Sequence, residues 1–277
     1  MKACGERITK DTRSTMTELS FKNWQVDLAR VTAFYGQIDS EKKQQWSSWW
    51  TDLVGVPPEN TSLKKRDEIS QDEGPFNGGD LILALQPGRI DWYLKARRAE
   101  QEDEDSQQNV ICLKPEALVK FQELVSRWMK LDSCPPVTRL ALGCVLMQQV
   151  ESREAGYLRL RNYLPSVDLN PASSDFLYQI NRPRNSTMVA SGLRINRLCK
   201  WSVVLSGKFS FSLPMVPKDK QPFTGLVQGH EQQACRVEVD VNSAPEYKDE
   251  LVGDQLLSLF DEFVILAKEI AEKGDVP

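Results

Sequence analysis

Three groups of residues in this chain have the types and the spacing that chemistry requires. The first contains Asp80, Asp91 and Lys95, on either side of a predicted hairpin turn. Two acids and a lysine on adjacent strands hold the divalent cation of metal-dependent nucleases. Asp91 and Lys95 share one face of a strand because their separation is even, but Tyr93 stands where the second acid of such a triplet belongs. We therefore prefer a surface ion pair here and keep a nuclease site as the less favoured alternative.

The second group contains the histidine and cysteine side chains. His230 is the only histidine and lies in the stretch TGLVQGHEQQ, so every histidine-dependent triad or zinc site depends on this one position. A solvated loop histidine is the preferred interpretation. The cysteines are too scattered to form a CxxC pair, and Cys144 and Cys199 lie in apolar strand sequence, where a thiol acts as a small hydrophobic group. The sequence also lacks a GxxxxGK[ST] phosphate loop, so we assign no catalytic residue, no metal ligand and no cofactor.

The third group is a set of basic residues around an Ile-Asn-Arg triplet that occurs twice. The triplets end at Arg182 and Arg197, in successive predicted strands. Alternation along a strand places each of these arginines on the same side as its isoleucine, whereas Arg194 and Lys200 take the opposite side. The basic side chains are therefore expected on both faces of the sheet.

We predict a partner-binding site formed by these basic residues, because arginine binds carboxylate or phosphate through two parallel hydrogen bonds. The predicted site consists of Arg182, Arg184, Arg194, Arg197 and Lys200. In the alternative interpretation, which we prefer for the arginines because the C-terminal segment is acidic, they pair with acids of the final helix.

The overall charge argues against a protein that binds nucleic acid or anionic membranes nonspecifically. The chain has 35 Lys and Arg against 39 Asp and Glu, a net charge of −4 and a pI near 5.3. The charge is nevertheless segregated, since residues 137–205 carry nine basic and four acidic side chains whereas residues 206–277 are net acidic. The N-terminal residues lack the apolar run of a secretory signal, and no stretch approaches the ~18 apolar residues of a membrane span. These features predict a cytoplasmic protein without a membrane partner.

The hydrophobic patterns of the first half predict alternating strands and amphipathic helices. Alternation predicts a strand from Trp24 to Tyr35, and tryptophans at spacings of three and four predict a helix that closes at Gly55. A polar strand, SLKKRDEIS, precedes a tight hairpin turn at residues 86–89. A short strand, VICL, leads to a second helix that begins at Pro115.

The second half repeats this order of elements. Ser152 is expected to cap a short helix, and a long final helix is expected from Pro245 to Gly274. The predicted strands of this half are VTRLALGCVLMQQV, DFLYQINRP, LRINRLCKWSVVLS, FSFSLP and ACRVEVDVNS. Each half reads strand, helix, four strands, helix. We therefore predict an α+β fold of two pseudo-repeats, with a mainly antiparallel sheet and long helices packed on one of its faces.

The predicted organisation is a loose N-terminal tail at residues 1–18, a first α+β repeat at residues 19–134 and a second at residues 135–277. The boundary lies in DSCPP, which ends the helix of the first half. A weak internal similarity accompanies this order: with a constant offset of 112, Leu28 aligns with Leu140 and Ala29 with Ala141. Duplication and chance similarity both explain these identities.

The order of elements, given twice, resembles the repeat of the TATA-binding-protein fold, in which two units join their sheets into one curved saddle with long helices on its convex side. The segments GLRINRLCKW and LLSLFDEFVILAKEI are similar to a sporadically distributed family of uncharacterised bacterial proteins, some of them associated with phage-defence neighbourhoods. The first resemblance implies a broad sheet surface, and the second a bacterial cytoplasmic origin. Neither implies catalytic residues.

These observations predict a non-enzymatic bacterial binding protein that presents a curved sheet to a macromolecular partner, in the first instance a protein, with a role in phage defence or regulation. The alternative is a nucleic-acid-binding or nuclease-like protein that uses a basic sheet surface. That alternative predicts binding that depends steeply on salt, because each neutralised phosphate releases counterions.

Overall fold

The computed structural model describes residues 17–38, 40–97, 112–189, 192–207, 210–211, 227–228 and 231–277. Its architecture is α+β, as predicted, with a large antiparallel sheet. The strands are β1 (Gln25–Tyr35), β2 (Asn60–Lys64), β3 (Ile69–Phe76), β4 (Gly79–Gln86), β5 (Arg89–Ala96), β6 (Val137–Val150), β7 (Leu177–Asn181), β8 (Arg184–Asn185), β9 (Arg194–Gly207), β10 (Ser210–Phe211), β11 (Val227–Gln228) and β12 (Glu231–Ser243). The α-helices are α1 (Ser40–Gln45), α2 (Trp49–Val54), α3 (Pro115–Met129), α4 (Arg153–Arg161) and α5 (Gly253–Lys273).

Ten of the described strands form one sheet in which all pairings are antiparallel. The order across it is β2-β3-β4-β5-β1-β6-β12-β9-β7, with β8 also paired to β9. Within the described residues, strands β10 and β11 form a separate two-stranded pair. Because β1 pairs with β6, the boundary predicted after residue 134 separates two parts of the chain but does not divide the sheet.

Several local signals in the first half form the elements that they predict, but two predicted strands do not. The stretch SLKKRDEIS is divided between β2, a short 3-10 helix at Lys65–Asp67 and β3, and in VICL the described Leu113 forms only an isolated bridge with Val26. Gly55 closes α2 in a left-handed conformation, with φ of 87°. Gly88 has φ of 74° in the turn between β4 and β5, and Pro115 is the first residue of α3. The tryptophans of the first helical segment form a buried anchor, in which Trp49 packs edge-on against Trp128 of α3.

A β-bulge interrupts the regular alternation of faces along β1. The pairing of β1 with β6 shifts between Val26 and Leu28, which places an extra residue in β1. Val26, Ala29 and Val31 are consequently all buried. Leu28 lies on the opposite face, where it pairs with Val145.

In the second half the largest difference from the prediction is the start of the final helix. Ser152 caps α4 with its side chain, as expected, but α5 begins at Gly253 rather than at Pro245. The reason is tertiary, since Leu251 is fully buried and exchanges two backbone hydrogen bonds with Val137 at the start of β6. Pairing with a strand therefore overrides the helical pattern just before α5.

The sheet has one buried face and one that reaches solvent. On the buried face, here called the core face, alternate residues of the central strands are fully or almost fully covered: Val31, Ile90, Trp92, Leu94, Leu142, Cys144, Trp201, Val237 and Val239. Helix α3 contacts β5, and α5 contacts β6, β9, β12 and α3. The intervening residues of the same strands form the second face, here called the open face. Many of its side chains are half-buried rather than covered.

The chain ahead of β1 passes beside the helices. Residues 1–16, most of the predicted tail, lie outside the described residues. Gln122 of α3 accepts a hydrogen bond from the Leu19 amide at 2.7 Å and donates one to the Thr17 carbonyl at 2.8 Å. Among the described residues no helix is both long enough and apolar enough to cross a lipid bilayer.

Candidate partner-binding surface

The structure separates the five predicted site residues into two groups. Arg182, Arg184 and Arg197 lie beside α5 and the residues that follow it. Arg194 and Lys200 occupy the alternate positions of β9 and lie on the open face. The division between faces expected from alternation is therefore confirmed, and the five residues do not converge on one site.

Arg182 is held by Asp275, which follows α5. The Nε and Nη2 atoms of Arg182 donate to the two carboxylate oxygens at 2.8 and 2.9 Å, and the Tyr178 hydroxyl donates to the same carboxylate at 2.6 Å. The Asp275 side chain is completely buried. The hydrogen bonds from Arg182 hold the pKa of Asp275 below the usual range of an aspartate.

Arg184 and Arg197 share Glu269 of α5. Their guanidinium nitrogens lie 2.7 and 3.3 Å from Oε2 of Glu269. The Arg197 side chain is only 1 % exposed, and burial together with the charge of Arg184 lowers its pKa. Arg197 also donates to the Val276 carbonyl at 3.4 Å. We call the side chains of Arg182, Arg184, Arg197, Glu269 and Asp275 the tail cluster.

Gly274 brings the chain from α5 into the tail cluster. It has φ of 76°, and a Cβ atom at this position would lie 2.0 Å from the Tyr163 carbonyl oxygen. The Asp275 amide donates to that same oxygen at 2.8 Å. The three arginines of the tail cluster are therefore engaged by the chain itself, as in the alternative interpretation of pairing with acids at its C-terminal end.

The open face of β1, β6, β12 and β9 carries more cations than anions. Residues directly opposite each other share a face, so Arg30, Gly143 and Asp240 lie in one row across β1, β6 and β12. The regular open-face positions of these strands hold five basic and two acidic side chains: Arg30, Arg139, Arg194, Lys200, Arg236, Glu238 and Asp240. We call these seven residues the cationic strip.

Two basic residues of the cationic strip share one carboxylate. Lys200 and Arg236 lie 3.1 and 2.9 Å from Oε1 of Glu238. Each of these three side chains is about a third exposed, at 34 or 35 %. The group therefore retains one positive charge in contact with solvent.

Arg30 reaches its acid across an intervening strand. Its Nη2 atom lies 3.5 Å from Asp240 on β12, although β6 separates β1 from β12. The path is open because Gly143 of β6 has no side chain, and a Cβ atom there would already contact the Arg30 guanidinium at 3.4 Å. A larger residue at this position would displace the arginine.

Arg139 and Arg194 lack a carboxylate partner among the described residues. Arg139 donates to the neutral amide oxygen of Asn242 at 3.0 Å. Arg194 is exposed at the start of β9. These two arginines account for most of the uncompensated charge of the cationic strip.

Phe34 lies between two arginines at one end of the open face. It pairs with Arg89 of β5 on one side and with Arg139 of β6 on the other. The two guanidinium carbons lie 5.7 and 5.5 Å from its ring centroid, within the range of a cation–π contact. Because Arg89 is neutralised by Asp91 at 2.6 Å, only Arg139 carries a free charge in this row.

A line of short, covered side chains runs beside this row. Successive strand pairings connect Ala84, Asp91, Thr32, Ala141 and Asn242, from β4 to β12. All five are buried. Longer neighbours cover them, since Arg89 donates to Asp91 and Arg139 donates to Asn242 within this line.

The open face of β2 to β5 differs from the cationic strip, because its charges are balanced. Lys95 lies 2.8 Å from Glu73, and Asp80 lies 3.6 Å from Arg97. Together with the pair of Arg89 and Asp91, these contacts leave little free charge on this part of the sheet.

The same contacts bear on the nuclease alternative. Asp91 is fully buried and accepts hydrogen bonds from Thr32 at 2.5 Å and from Arg89. Asp80 lies opposite Lys95, not opposite Asp91, whose partner on β4 is Ala84. The two acids are therefore separated along the strands. Within the part of the chain that the structure describes, no group of three or more His, Cys, Asp or Glu side chains is placed to hold a metal ion.

The remaining candidate nucleophiles are not activated where the structure describes them. His230 and Cys4 lie outside the described residues. Burial raises the pKa of Cys134 and Cys144 to about 12 and that of Cys235 to about 11. Such thiols stay protonated at neutral pH, as expected for the buried small hydrophobic groups that the sequence predicts.

Sequence reasoning missed Arg30, Arg139 and Arg236 as members of a common surface. Arg30 and Arg236 each lie between two apolar residues of a strand, which is a signal that the sequence does contain, whereas Arg139 follows the polar Thr138. Their proximity depends on the adjacency of β1, β6 and β12, which brings together residues that are far apart in the sequence.

No protein-family model, no curated protein and no solved structure matches the chain. The function of the protein has to be inferred from its own geometry.

Proposed function

We propose that the protein is a non-enzymatic binding protein of the bacterial cytoplasm and that it presents the open face of its sheet to a macromolecular partner. The observation that carries this proposal is the cationic strip, in which five basic side chains accompany two acidic ones although the whole chain has a net charge of −4. A local surplus of one charge on a broad face favours association with a partner of opposite charge. The cationic strip is accessible, since the side chains of Arg30 and Asp240 are 30 and 34 % exposed.

We further propose that two copies of one unit build the open face, in the manner of the TATA-binding-protein fold. Outward from the central β1–β6 pair, the strand order is β1, β5, β4, β3, β2 on one side and β6, β12, β9, β7 on the other. In both directions the first strand of a half pairs with its last. Helix α3 contacts β5 and α5 contacts β12, which supports equivalent positions for the two long helices behind the sheet.

The internal similarity at a constant offset of 112 lends this duplication no support. That offset aligns Ala29 with Ala141. Ala29 lies on the core face beside Val31, whereas Ala141 lies on the open face opposite Thr32. Core-face residues of β1 after the bulge have odd numbers, whereas those of β6 have even numbers, so only an odd offset aligns buried positions with buried positions. The support for two units therefore comes from strand order and not from the matched residues.

Binding rather than catalysis is supported by the way the reactive groups are engaged. Asp91 is covered and bonded to Arg89 and Thr32, and the described thiols have a raised pKa. The open face instead combines ion pairs with half-buried apolar side chains such as Phe34 and Leu198, a mixture typical of protein interfaces.

The proposal is tested by capture of partners from a bacterial extract on three immobilised forms of the protein. These are the wild type, an open-face variant with Arg139→Glu and Arg194→Glu, and a control with Arg153→Glu and Arg159→Glu. The control residues are exposed arginines of α4, which lies on the other side of the sheet. We expect a set of molecules that the wild type and the control retain and that the open-face variant loses.

Retention of the same molecules by all three forms would overturn the proposal, because the open face would then contribute nothing to association. Nucleic acid among the molecules lost by the open-face variant would favour the nucleic-acid-binding alternative. That result would be accompanied by a steep loss of binding between low and moderate salt.

A further inference from the structure

We infer that two copies of this chain associate through β2, the strand at one edge of the sheet, and that β2 of one copy pairs antiparallel with β2 of the other. The pairing joins the two sheets about a two-fold axis, the commonest symmetry of homodimers. The dimer does not depend on the proposed function, because it uses an edge of the sheet and not the cationic strip. Exposure, unpaired charge and the order of residues in β2 support it.

Strand β2 presents an open edge. It is the first strand in the sheet order, and in the described part of the chain it pairs only with β3. Every residue from Glu59 to Glu68 is exposed, and Leu63 is 58 % exposed. The backbone N–H and C=O groups on the outer side of an edge strand are available to another chain. A strand that adds to such an edge binds through main-chain hydrogen bonds.

The charges at the two ends of β2 are opposite in sign. Glu59 precedes the strand, whereas Lys64, Lys65 and Arg66 stand at its end. None of these four side chains forms an ion pair with another described residue. Lysine on an edge discourages association with unrelated strands, so a partner strand has to supply an acid. Antiparallel pairing of two copies does so twice, because it brings the acidic end of each strand beside the basic end of the other.

Symmetry limits the ways in which two β2 strands pair. Neighbouring residue pairs of an antiparallel ladder alternate between two hydrogen-bonding arrangements. A two-fold axis converts each residue pair into one of the same arrangement, so the axis has to pass through a pair formed by one residue and its own copy. The central choices for this strand are Thr61, Ser62 and Leu63.

Only the register centred on Ser62 matches the charges at both ends. It places Glu59 opposite Lys65 of the second copy, where opposite charges attract. A centre one residue later places Glu59 opposite Asp67, where like charges repel, and a centre one residue earlier places it opposite Leu63. The sequence of β2 therefore specifies both its partner and the register of the pairing.

The opposite edge of the sheet lacks these features. Strand β7 is followed by Pro183, which has no N–H group to donate and is typical of protected edges. Arg182, at the same end of β7, is held by Asp275 in the tail cluster. Of the two edges, β2 is the one that favours a second copy.

A dimer of this kind presents two open faces on the same side. The two-fold axis of an antiparallel strand pair is perpendicular to the sheet, so equivalent faces of both copies point in one direction. A partner with repeated binding segments then contacts both cationic strips, which increases its avidity. Because a single pair of short strands is smaller than a standard interface, we expect a weak, reversible dimer with a Kd in the micromolar range.

The test is sedimentation velocity of the full chain over a concentration range from about 1 to about 200 μM. The wild type is compared with Glu59→Lys, with Lys65→Glu and with the double variant that combines them. The control combines Glu246→Lys with Arg153→Glu, which reverses two exposed charges away from β2. All substituted residues are exposed, and equal urea midpoints establish that every variant is folded.

We expect the wild type and the control to show the same equilibrium between monomer and dimer. Each single reversal should raise the Kd about tenfold, because both facing pairs change from attraction to repulsion. The double variant should restore association, since it exchanges the two charges without losing their complementarity. An equimolar mixture of the two single variants should form heterodimers with the affinity of the wild type for the same reason.

A wild type that stays monomeric over the whole concentration range would overturn the inference. A dimer that both single reversals leave unchanged would also overturn it, because association would then use another surface. Failure of the double variant and of the mixture to restore a weakened dimer would exclude the pairing centred on Ser62. The variants used in the capture from bacterial extract leave β2 intact, so the dimer and the proposed function are refuted by different results.

Discussion

Two arginines of the same strand, β9, differ in burial and in whether they pair with an acid. Arg197 is 1 % exposed and shares Glu269 with Arg184 in the tail cluster, whereas Arg194 is exposed on the open face without an acid among the described residues. The odd positions of the strand face α5 and its acids, and the even positions face away from them. The comparison teaches that the described arginines of β9 on the core side are tied to acids at the C-terminal end, whereas Arg194 on the open face has no such acid among the described residues.

The largest loss of stability should appear when Gly274, which leads into the tail cluster, is replaced. Gly274→Ala places a Cβ atom 2.0 Å from the Tyr163 carbonyl oxygen in a backbone conformation with φ of 76°, and should lower the free energy of unfolding by about 3 kcal/mol. Gly55→Ala is the matched control, because Gly55 also has positive φ but has no atom within 4 Å of the added Cβ. It should cost about 1 kcal/mol. Equal losses of unfolding free energy for Gly274→Ala and Gly55→Ala, measured by urea denaturation, would show that the tail cluster is not tightly held.

A smaller effect should follow from removing the charge of Asp275. Asp275→Asn leaves Arg182 without its acid while keeping the shape of the side chain, and should lower the free energy of unfolding by about 2 kcal/mol. Glu246→Gln provides the control, since Glu246 is an exposed acid. A loss no greater than that of the control, measured by urea denaturation at neutral pH, would place the tail cluster among weak surface pairs.

The same variant should change the pH dependence of stability. The pKa of Asp275 is lowered by Arg182; for Glu269, burial acts to raise the pKa, but hydrogen bonding and charge from Arg184 and the charge of Arg197 outweigh it. The unfolded chain therefore takes up these protons first as the pH falls. The stabilisation is complete above the unfolded-state values of 3.8 and 4.5 and is lost as the pH falls through the lower folded-state values. Asp275→Asn should lose less stability than the wild type over this pH range. If the two plots of unfolding free energy against pH are parallel, Asp275 does not contribute to the loss of stability in acid.

The smallest effect on stability is expected on the open face. Replacement of Arg139 and Arg194 by Gln should leave the free energy of unfolding within about 0.5 kcal/mol of the wild type, because neither arginine has an acid to lose among the described residues. Thermal and urea unfolding at neutral pH provide the measurement. A loss comparable to that of Asp275→Asn would erase the distinction between the two regions.

Much of the secondary structure was accessible from short-range signals. The turn at residues 86–89, the closure of α2 at Gly55, the cap at Ser152 and the start of α3 at Pro115 all depend on conformations that one or two residues determine. The start of α5 was predicted wrongly because Leu251 pairs with Val137, a contact that no local pattern encodes.

The candidate site was accessible only in part, for a related reason. Alternation correctly separated Arg182 and Arg197 from Arg194 and Lys200, since a strand has a period of two whatever its neighbours are. It did not reveal that Arg139 belongs with Arg194, because that requires knowing which strands are adjacent. The bulge between Val26 and Leu28 is likewise not encoded by alternation, because it depends on the pairing of β1 with β6.

The position of β12 determines when the second half of the sheet is able to form. This strand lies between β6 and β9 although both precede it in the chain. During translation, β6 lacks a neighbour on that side until residues 231–243 have left the ribosome, and the apolar row of β6 lacks its helical cover until residues 253–273 follow. Assembly of this half is therefore postponed to the last stage of synthesis, and until then one edge of β6 stays unpaired in the nascent chain.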